Sequence, residues 1–169
     1  KNNYLVYSTT ECDVGLNKKL TAAFQDHKEQ IWLGTLTGLY IIQDYHYSEP
    51  INLYEIIPGL RARISNFYPD GEKGLWISTM GSGIYYYEYS SNKFYNINSQ
   101  NGIYSNLSHC LLQENDSTLW IGSNKGLEHI NYRFTDTGIA LDNYFHLNST
   151  DGIGSNYIYD INKWGDEIW

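Results

Sequence analysis

One short phrase returns along the chain at a nearly constant interval. Ile31-Trp32-Leu33-Gly34-Thr35 is followed by Leu75-Trp76-Ile77-Ser78-Thr79, by Leu119-Trp120-Ile121-Gly122-Ser123, and by a last Ile168-Trp169. The tryptophans fall 44, 44 and 49 residues apart. Self-similarity at such a period is the mark of a repeat architecture. It also sorts the residues: those present in every repeat serve the scaffold, and only the differences between repeats can carry specificity.

A second mark runs in phase with the first. Gly15-Leu16, Gly59-Leu60, Gly102-Ile103 and Gly152-Ile153 each stand 17 or 18 residues before a tryptophan. The third and fourth nearly coincide, as Asn101-Gly102-Ile103-Tyr104-Ser105-Asn106 and Asp151-Gly152-Ile153-Gly154-Ser155-Asn156. Between the marks the apolar runs are about four to six residues long, too short and too unperiodic for helices.

Each repeat resolves into four short strands. The first is expected at Ala22 to Gln25, Ile64 to Tyr68, Leu107 to Gln113 and Tyr157 to Ile161. A polar turn leads to the tryptophan strand: Asp26-His27-Lys28-Glu29, Asp70-Gly71-Glu72-Lys73, Glu114-Asn115-Asp116-Ser117 and Trp164-Gly165-Asp166-Glu167. A tight turn ending in Gly38, Gly83 or Gly126 opens the third strand, the glycine supplying a positive φ. A weaker fourth strand is expected near Leu53 to Ile57, Phe94 to Ile97 and Tyr144 to Leu147, and Tyr4 to Tyr7 reads as the fourth strand of a preceding repeat.

Four antiparallel strands per 44-residue repeat predict an all-β fold, a β-propeller of four-stranded blades. The expected division is 1–10 for the last strand of a preceding blade, then blades at 15–57, 59–98 and 102–148, with a fourth begun at 152–169. About three complete blades with partial blades at both ends make an open piece of a larger ring. Since an open ring exposes sheet edges, the piece is expected to pair with a second copy or with further sequence.

The phrase Leu119-Trp120-Ile121-Gly122-Ser123-Asn124-Lys125-Gly126-Leu127, preceded by Asn101-Gly102-Ile103-Tyr104-Ser105-Asn106, resembles the two-component regulator propeller repeat. Departures are Ser78 in place of a glycine, the longer Met80-Gly81-Ser82-Gly83 turn, and Asn17-Lys18-Lys19 where Ser-Asn would stand. The resemblance implies the periplasmic sensor region of a Bacteroides-type hybrid two-component receptor. Many such receptors detect oligosaccharides, and the resemblance implies a signal passed through a membrane helix to a histidine kinase and phosphorelay. The kinase elements themselves have no match in this sequence.

The composition narrows the partners. With 11 Lys+Arg against 19 Asp+Glu, net charge −8 and no basic cluster, the chain lacks the positive footprint that nucleic acid requires. No run of 18 apolar residues is present, so no spanning helix and no direct membrane contact are expected. No signal peptide is read at Lys1-Asn2-Asn3-Tyr4. Cys12 and Cys110 occupy non-equivalent places and are not expected to pair. His27, His46, His109, His129 and His146 show no ligand spacing, although His109 and His129 could approach each other; neither a metal nor a cofactor is expected.

Candidate site residues follow from the same sorting. Trp32, Trp76, Trp120 and Trp169 recur in one context and are assigned to packing between blades, together with the turn glycines Gly38, Gly83 and Gly126. The acidic turns, with Asp70, Glu72 and Asp116, recur too and are read as solvated turn residues rather than paired catalytic carboxylates. What differs between blades lies just before the first strand: Asn17, Lys18 and Lys19, Arg61 and Arg63, Tyr104 and Asn106, Ser155 and Asn156. Arg61, Arg63, Tyr104, Asn106 and Asn156, joined by Trp164 in its turn, are the expected ligand contacts, suited to polyols or uronic acids. The expected role is non-catalytic sensing, with a propeller lyase or glycosidase, or a protein-docking propeller, as alternatives.

Overall fold

The computed structural model describes residues 19–43 and 51–169. Cys12, Asn17, Lys18, His46, the Gly15-Leu16 mark and the strand expected at Tyr4 to Tyr7 lie outside the described residues. Three four-stranded antiparallel sheets follow one another along the chain, each in simple sequential order. Blade 1 comprises β1 (Leu20–Gln25), β2 (Ile31–Thr35), β3 (Gly38–Ile42) and β4 (Ile51–Asn52). Blade 2 comprises β5 (Arg63–Asp70), β6 (Gly74–Met80), β7 (Ile84–Glu88) and β8 (Lys93–Ile97). Blade 3 comprises β9 (Ser108–Asn115), β10 (Thr118–Ser123), β11 (Leu127–Thr135) and β12 (Gly138–Leu147), and a hairpin of β13 (Lys163–Trp164) and β14 (Glu167–Ile168) begins the next repeat. The chain is an all-β propeller of four-stranded blades.

Strand alternation explains why these sheets stack. In β7, Tyr85 and Tyr87 join the core shared with blade 1, while Ile84 and Tyr86 join the core shared with blade 3. In β6, Leu75 and Ile77 face blade 1 and Trp76 faces blade 3. A period of two thus sends consecutive apolar residues to opposite neighbours, and each middle strand reads as a continuous buried run. Trp32 and Trp76 are fully buried. Each indole meets an aromatic of the following blade, Trp32 with Tyr87 at 4.9 Å and Trp76 with Tyr132 at 5.2 Å between ring centroids. Trp120 is only partly buried, packed on His129 and Phe145 of its own blade, and Trp169 is 73% exposed.

The residue closing each tryptophan phrase has a repeated polar task. The hydroxyls of Thr35, Thr79 and Ser123 are buried and donate to the carbonyls of Gly38, Gly83 and Gly126 at 2.9, 2.7 and 3.1 Å. They also accept from the amides of Thr37, Ser82 and Lys125. One side chain thereby closes the turn between the second and third strands. The glycine is required there twice over: at Gly126 φ is +129°, and a Cβ would stand 2.1 Å from the Leu147 carbonyl.

Three expectations need correction. Leu53 to Ile57 is not the fourth strand of blade 1: that strand is the two residues of β4, and Leu53–Ile56 forms a single helical turn, α1. Leu53 is buried in the core between blades 1 and 2, which a turn of helix reaches and an outer strand would not. Tyr157 to Ile161 forms no ladder: the β13–β14 pairing extends as far as the two bonds between Asn162 and Trp169, 2.8 Å each, and the Ile158 amide is tied instead to the Ser123 carbonyl of blade 3, 3.0 Å. The outer hairpin of blade 3 is longer than expected, and its Phe134 reaches back to Tyr86 and Tyr95 of blade 2. Tyr85, Tyr86 and Tyr87 are all buried between blades.

Two measurements check this packing. Thr79→Val keeps the shape but strands the Ser82 amide, and should cost about 1–3 kcal/mol in chemical denaturation. Trp76→Ala should cost about 3–5 kcal/mol, whereas Trp120→Ala, at a less covered site, should cost distinctly less; equal losses would contradict the packing described.

Candidate ligand-binding site

Antiparallel order gives the blades two ends. The upper end carries the starts of β1, β5 and β9 and the turns before β3, β7 and β11; the lower end carries the acidic turns before the tryptophan strands. Arg61, Arg63, Tyr104, Asn106 and Asn156 all fall at the upper end. Trp164 does not: it precedes the β13–β14 turn, 82% exposed, beside Lys163, whose ammonium reaches Glu114 at the lower end of blade 3. The expected ligand set is therefore split between two ends, with five residues on one and Trp164 on the other.

Arg61 ends a single 3-10 turn, Pro58–Arg61, and Arg63 opens β5 opposite Met80; both are exposed. Arg63 pairs with no carboxylate among the described residues. Asn106 and Asn156 share one task. Their side-chain oxygens accept the amides of Ser99 and Ser149, both at 2.7 Å, closing the loop into each repeat. The Asn106 carbonyl also takes the amides of Gly81 and Gly83, at 2.9 and 3.1 Å, tying the blade 2 turn to blade 3.

Tyr104 is 54% exposed and stacks flat on His146, centroids 4.0 Å apart at 10°. The Lys125 ammonium lies 5.7 Å from the same ring, and the Lys125 carbonyl holds His146 Nε2 at 2.8 Å. Beneath this platform Glu128 is 2% exposed and accepts the Tyr104 amide at 2.6 Å. Burial pushes its carboxyl above the ordinary value, partly offset by that amide and then by His146. The result is an aromatic face with a cation beside it, fixed from below by a carboxylate, which suits a sugar ring bearing hydroxyl or acidic groups.

The acidic turns are more than solvated loops. Asp26 is buried and accepts the Trp32 indole N–H at 2.9 Å, and Glu114 accepts that of Trp120 at 2.9 Å. In blade 2 the equivalent Asp70 takes the Tyr86 hydroxyl and, across the blade interface, the Gln113 amide, each at 2.9 Å. A signal for this was present: an acid stands six residues before each of these tryptophans. These carboxylates are held as structural acceptors. The indole N–H of Trp120 is the main force holding the Glu114 carboxyl below its usual range.

His109 and His129 are not brought together: His109 meets Tyr159, and His129 meets Trp120 and Phe145. No group of three metal-ligating side chains occurs among the described residues. Cys110 is a free thiol, 2% exposed, pushed up to about 12 mainly by burial, which keeps it protonated and unreactive. A cleft of about 630 Å³ between the outer strands of blades 1 and 2, lined by Trp32, Ile41, Leu53, Ile57, Tyr87 and Phe94, contains none of the expected contacts. It escaped the sequence reading because α1 stands where a strand was expected.

Glu128 gives a pH test. Its carboxyl ionises in the unfolded chain near 4.5 and above that in the fold, so its contribution to stability falls as pH rises above about 4.5. Glu128→Gln should therefore gain in melting temperature relative to the parent between pH 5 and pH 8. A difference that does not change with pH would show that Glu128 ionises as it does in water.

No protein-family model matches the chain. A curated relative, Histidine kinase P4 of Formosa agariphila, is 29% identical over 152 residues, covering 85% of this chain and 10% of that protein. Among solved structures, the extracellular domain described for the hybrid two-component system BT4673 of B. thetaiotaomicron aligns with a TM-score of 0.68 at 23% identity, over 96% of this chain and 23% of that one. The corresponding domain of BT3049 from the same organism gives 0.66 at 18% identity, over 86% and 21%. The chain spans about a tenth of the curated relative and less than a quarter of either solved domain. No helix among the described residues is long and apolar enough to cross a membrane. The chain thus has the fold of extracellular domains of Bacteroides two-component systems and is similar in sequence to a histidine kinase, in agreement with the repeat it resembles.

Proposed function

We propose that this chain is a non-catalytic part of the periplasmic sensor region of a hybrid two-component histidine kinase, and that its upper end binds oligosaccharides. The observation that carries the reading is the contrast between a repeated frame and an unrepeated upper end. The hydroxyl–glycine turn, the tryptophan and its acid recur from blade to blade, whereas Arg61, Arg63 and the Tyr104–His146–Lys125 platform each occur once. Forked cations and an exposed aromatic face are the groups that sugars use for orientation and stacking. The acids that a glycosidase would need as a pair are instead committed to indole, phenol and amide donors.

The proposed relay draws on the packing. Blade 2 shares a buried aromatic interface with blade 1 and another with blade 3, so a ligand bridging two blades moves them as bodies and hands the displacement to the rest of the receptor or its dimer partner. Only a ligand that binds one arrangement more tightly than the other can do so. A thermal-shift and calorimetric screen of neutral and acidic oligosaccharides should find a saturable ligand, and Arg61→Ala or Arg63→Ala should weaken it at least about tenfold, as for a lost charge-assisted pair. A ligand bound equally well by both variants would remove the upper end from the site; no stabilisation by any glycan would favour a docking propeller.

A further inference from the structure

The inner strand of every blade is interrupted at the same place. Its ladder to the tryptophan strand slips by one residue between Leu20 and Ala22, between Ile64 and Asn66, and between Ser108 and Cys110. The skipped residues are Thr21, Ser65 and His109, one per blade. A bulge bends its strand and re-aims the side chain it carries.

In blade 1 the aim is visible. The Thr21 hydroxyl donates to the Ile64 carbonyl of the next inner strand at 2.7 Å. In blade 3 the His109 ring meets Tyr159 of the following repeat at 4.9 Å, and Tyr159 is 69% exposed. The bulge residue therefore looks along the inner wall to the next blade. In blades 2 and 3 its polar atom meets nothing to bond: Ser65 Oγ and His109 Nε2 are both shielded from solvent and have no partner. Such orphans are uncommon in folded proteins.

Arg63 opens β5 two residues before the bulge residue Ser65. Its guanidinium lies close enough to His109 to depress the imidazole further after burial has done so. Arg63 is exposed and has no carboxylate partner among the described residues. β5 and β9 thus present a cation, a hydroxyl and an imidazole, and the unpaired segment that follows blade 3 adds the exposed phenol ring of Tyr159.

We propose that Arg63, Ser65, His109 and Tyr159 form a subsite for a hexuronate residue on the inner wall of blades 2 and 3. Arg63 takes the carboxylate, Ser65 Oγ and His109 Nε2 take ring hydroxyls, and Tyr159 supplies the flat face. The proposal rests on the sensor reading above and narrows its ligand to acidic glycans. It adds three residues to Arg63, none of them among those that the repeats marked as ligand contacts.

The test compares a hexuronate disaccharide with its neutral hexose counterpart on the protein. Calorimetry should show the uronate bound more tightly, with Ser65→Ala weakening it roughly three- to tenfold, as for one lost hydrogen bond. Independently of any variant, the NMR titration midpoint of His109 should rise on saturation with the uronate, because the carboxylate neutralises Arg63; the neutral sugar should leave it unmoved. If uronates bind while both the Ser65→Ala affinity and the His109 midpoint stay unchanged, the subsite is wrong and the sensor reading stands. Neutral sugars binding as tightly as uronates would likewise overturn the subsite and leave the sensor reading in place. If neither sugar binds, both proposals fall.

Discussion

The contact on which the rest depends is the burial of one sheet face against the next. A four-stranded sheet with both faces apolar is insoluble alone, and it becomes stable only when each face is covered. Trp32 under Tyr87 and Trp76 under Tyr132 mark the two interfaces in which this is complete. Each buries a full indole, among the largest apolar surfaces a side chain offers. Trp120 shows the other side of the rule, since it lies on the flank of blade 3 and keeps partial exposure.

Burying so many aromatic rings brings polar atoms inside, and the fold handles them in a repeated way. The acid six residues before the tryptophan accepts the indole or its blade partners, and the hydroxyl three residues after it closes the next turn. These bonds add modest net stability and spare the Trp32 and Trp120 indoles the larger cost of an unmet buried donor. Because Asp70 also takes Gln113, and Asn106 takes Gly81 and Gly83, the polar frame crosses blade interfaces as the apolar core does. A frame tied at both levels leaves the upper end free to vary. That freedom is why Arg61, Arg63 and Tyr104 can differ from blade to blade without disturbing the sheets.

Much of this was legible in the residues. The tryptophan phrase falls on the second strand of all three described four-stranded sheets, and the turn glycines were placed where φ is positive. Where the reading failed, packing had overridden local pattern. Leu53 to Ile57 has strand-like composition, yet the core between blades 1 and 2 draws Leu53 inward on a turn of helix. Asn106 and Asn156 stood among the expected contacts for their variable position, and their side-chain oxygens prove to be loop acceptors.

The sequence by itself determined the period, the four-strand repeat, the packing role of Trp32 and Trp76, and the short list of positions that differ between blades. These are local or periodic properties, written in spacing and in the turn chemistry of single residues. Only the tertiary structure decided which of the differing residues share a surface. It set Trp164 at the opposite end from Arg63, laid Tyr104 on His146 forty-two positions away, and aligned Ser65 with His109 through bulges in separate strands. The reason is physical: strand register, bulge position and the end at which a loop emerges depend on how neighbouring blades cover each other, and one repeat carries no record of its neighbours.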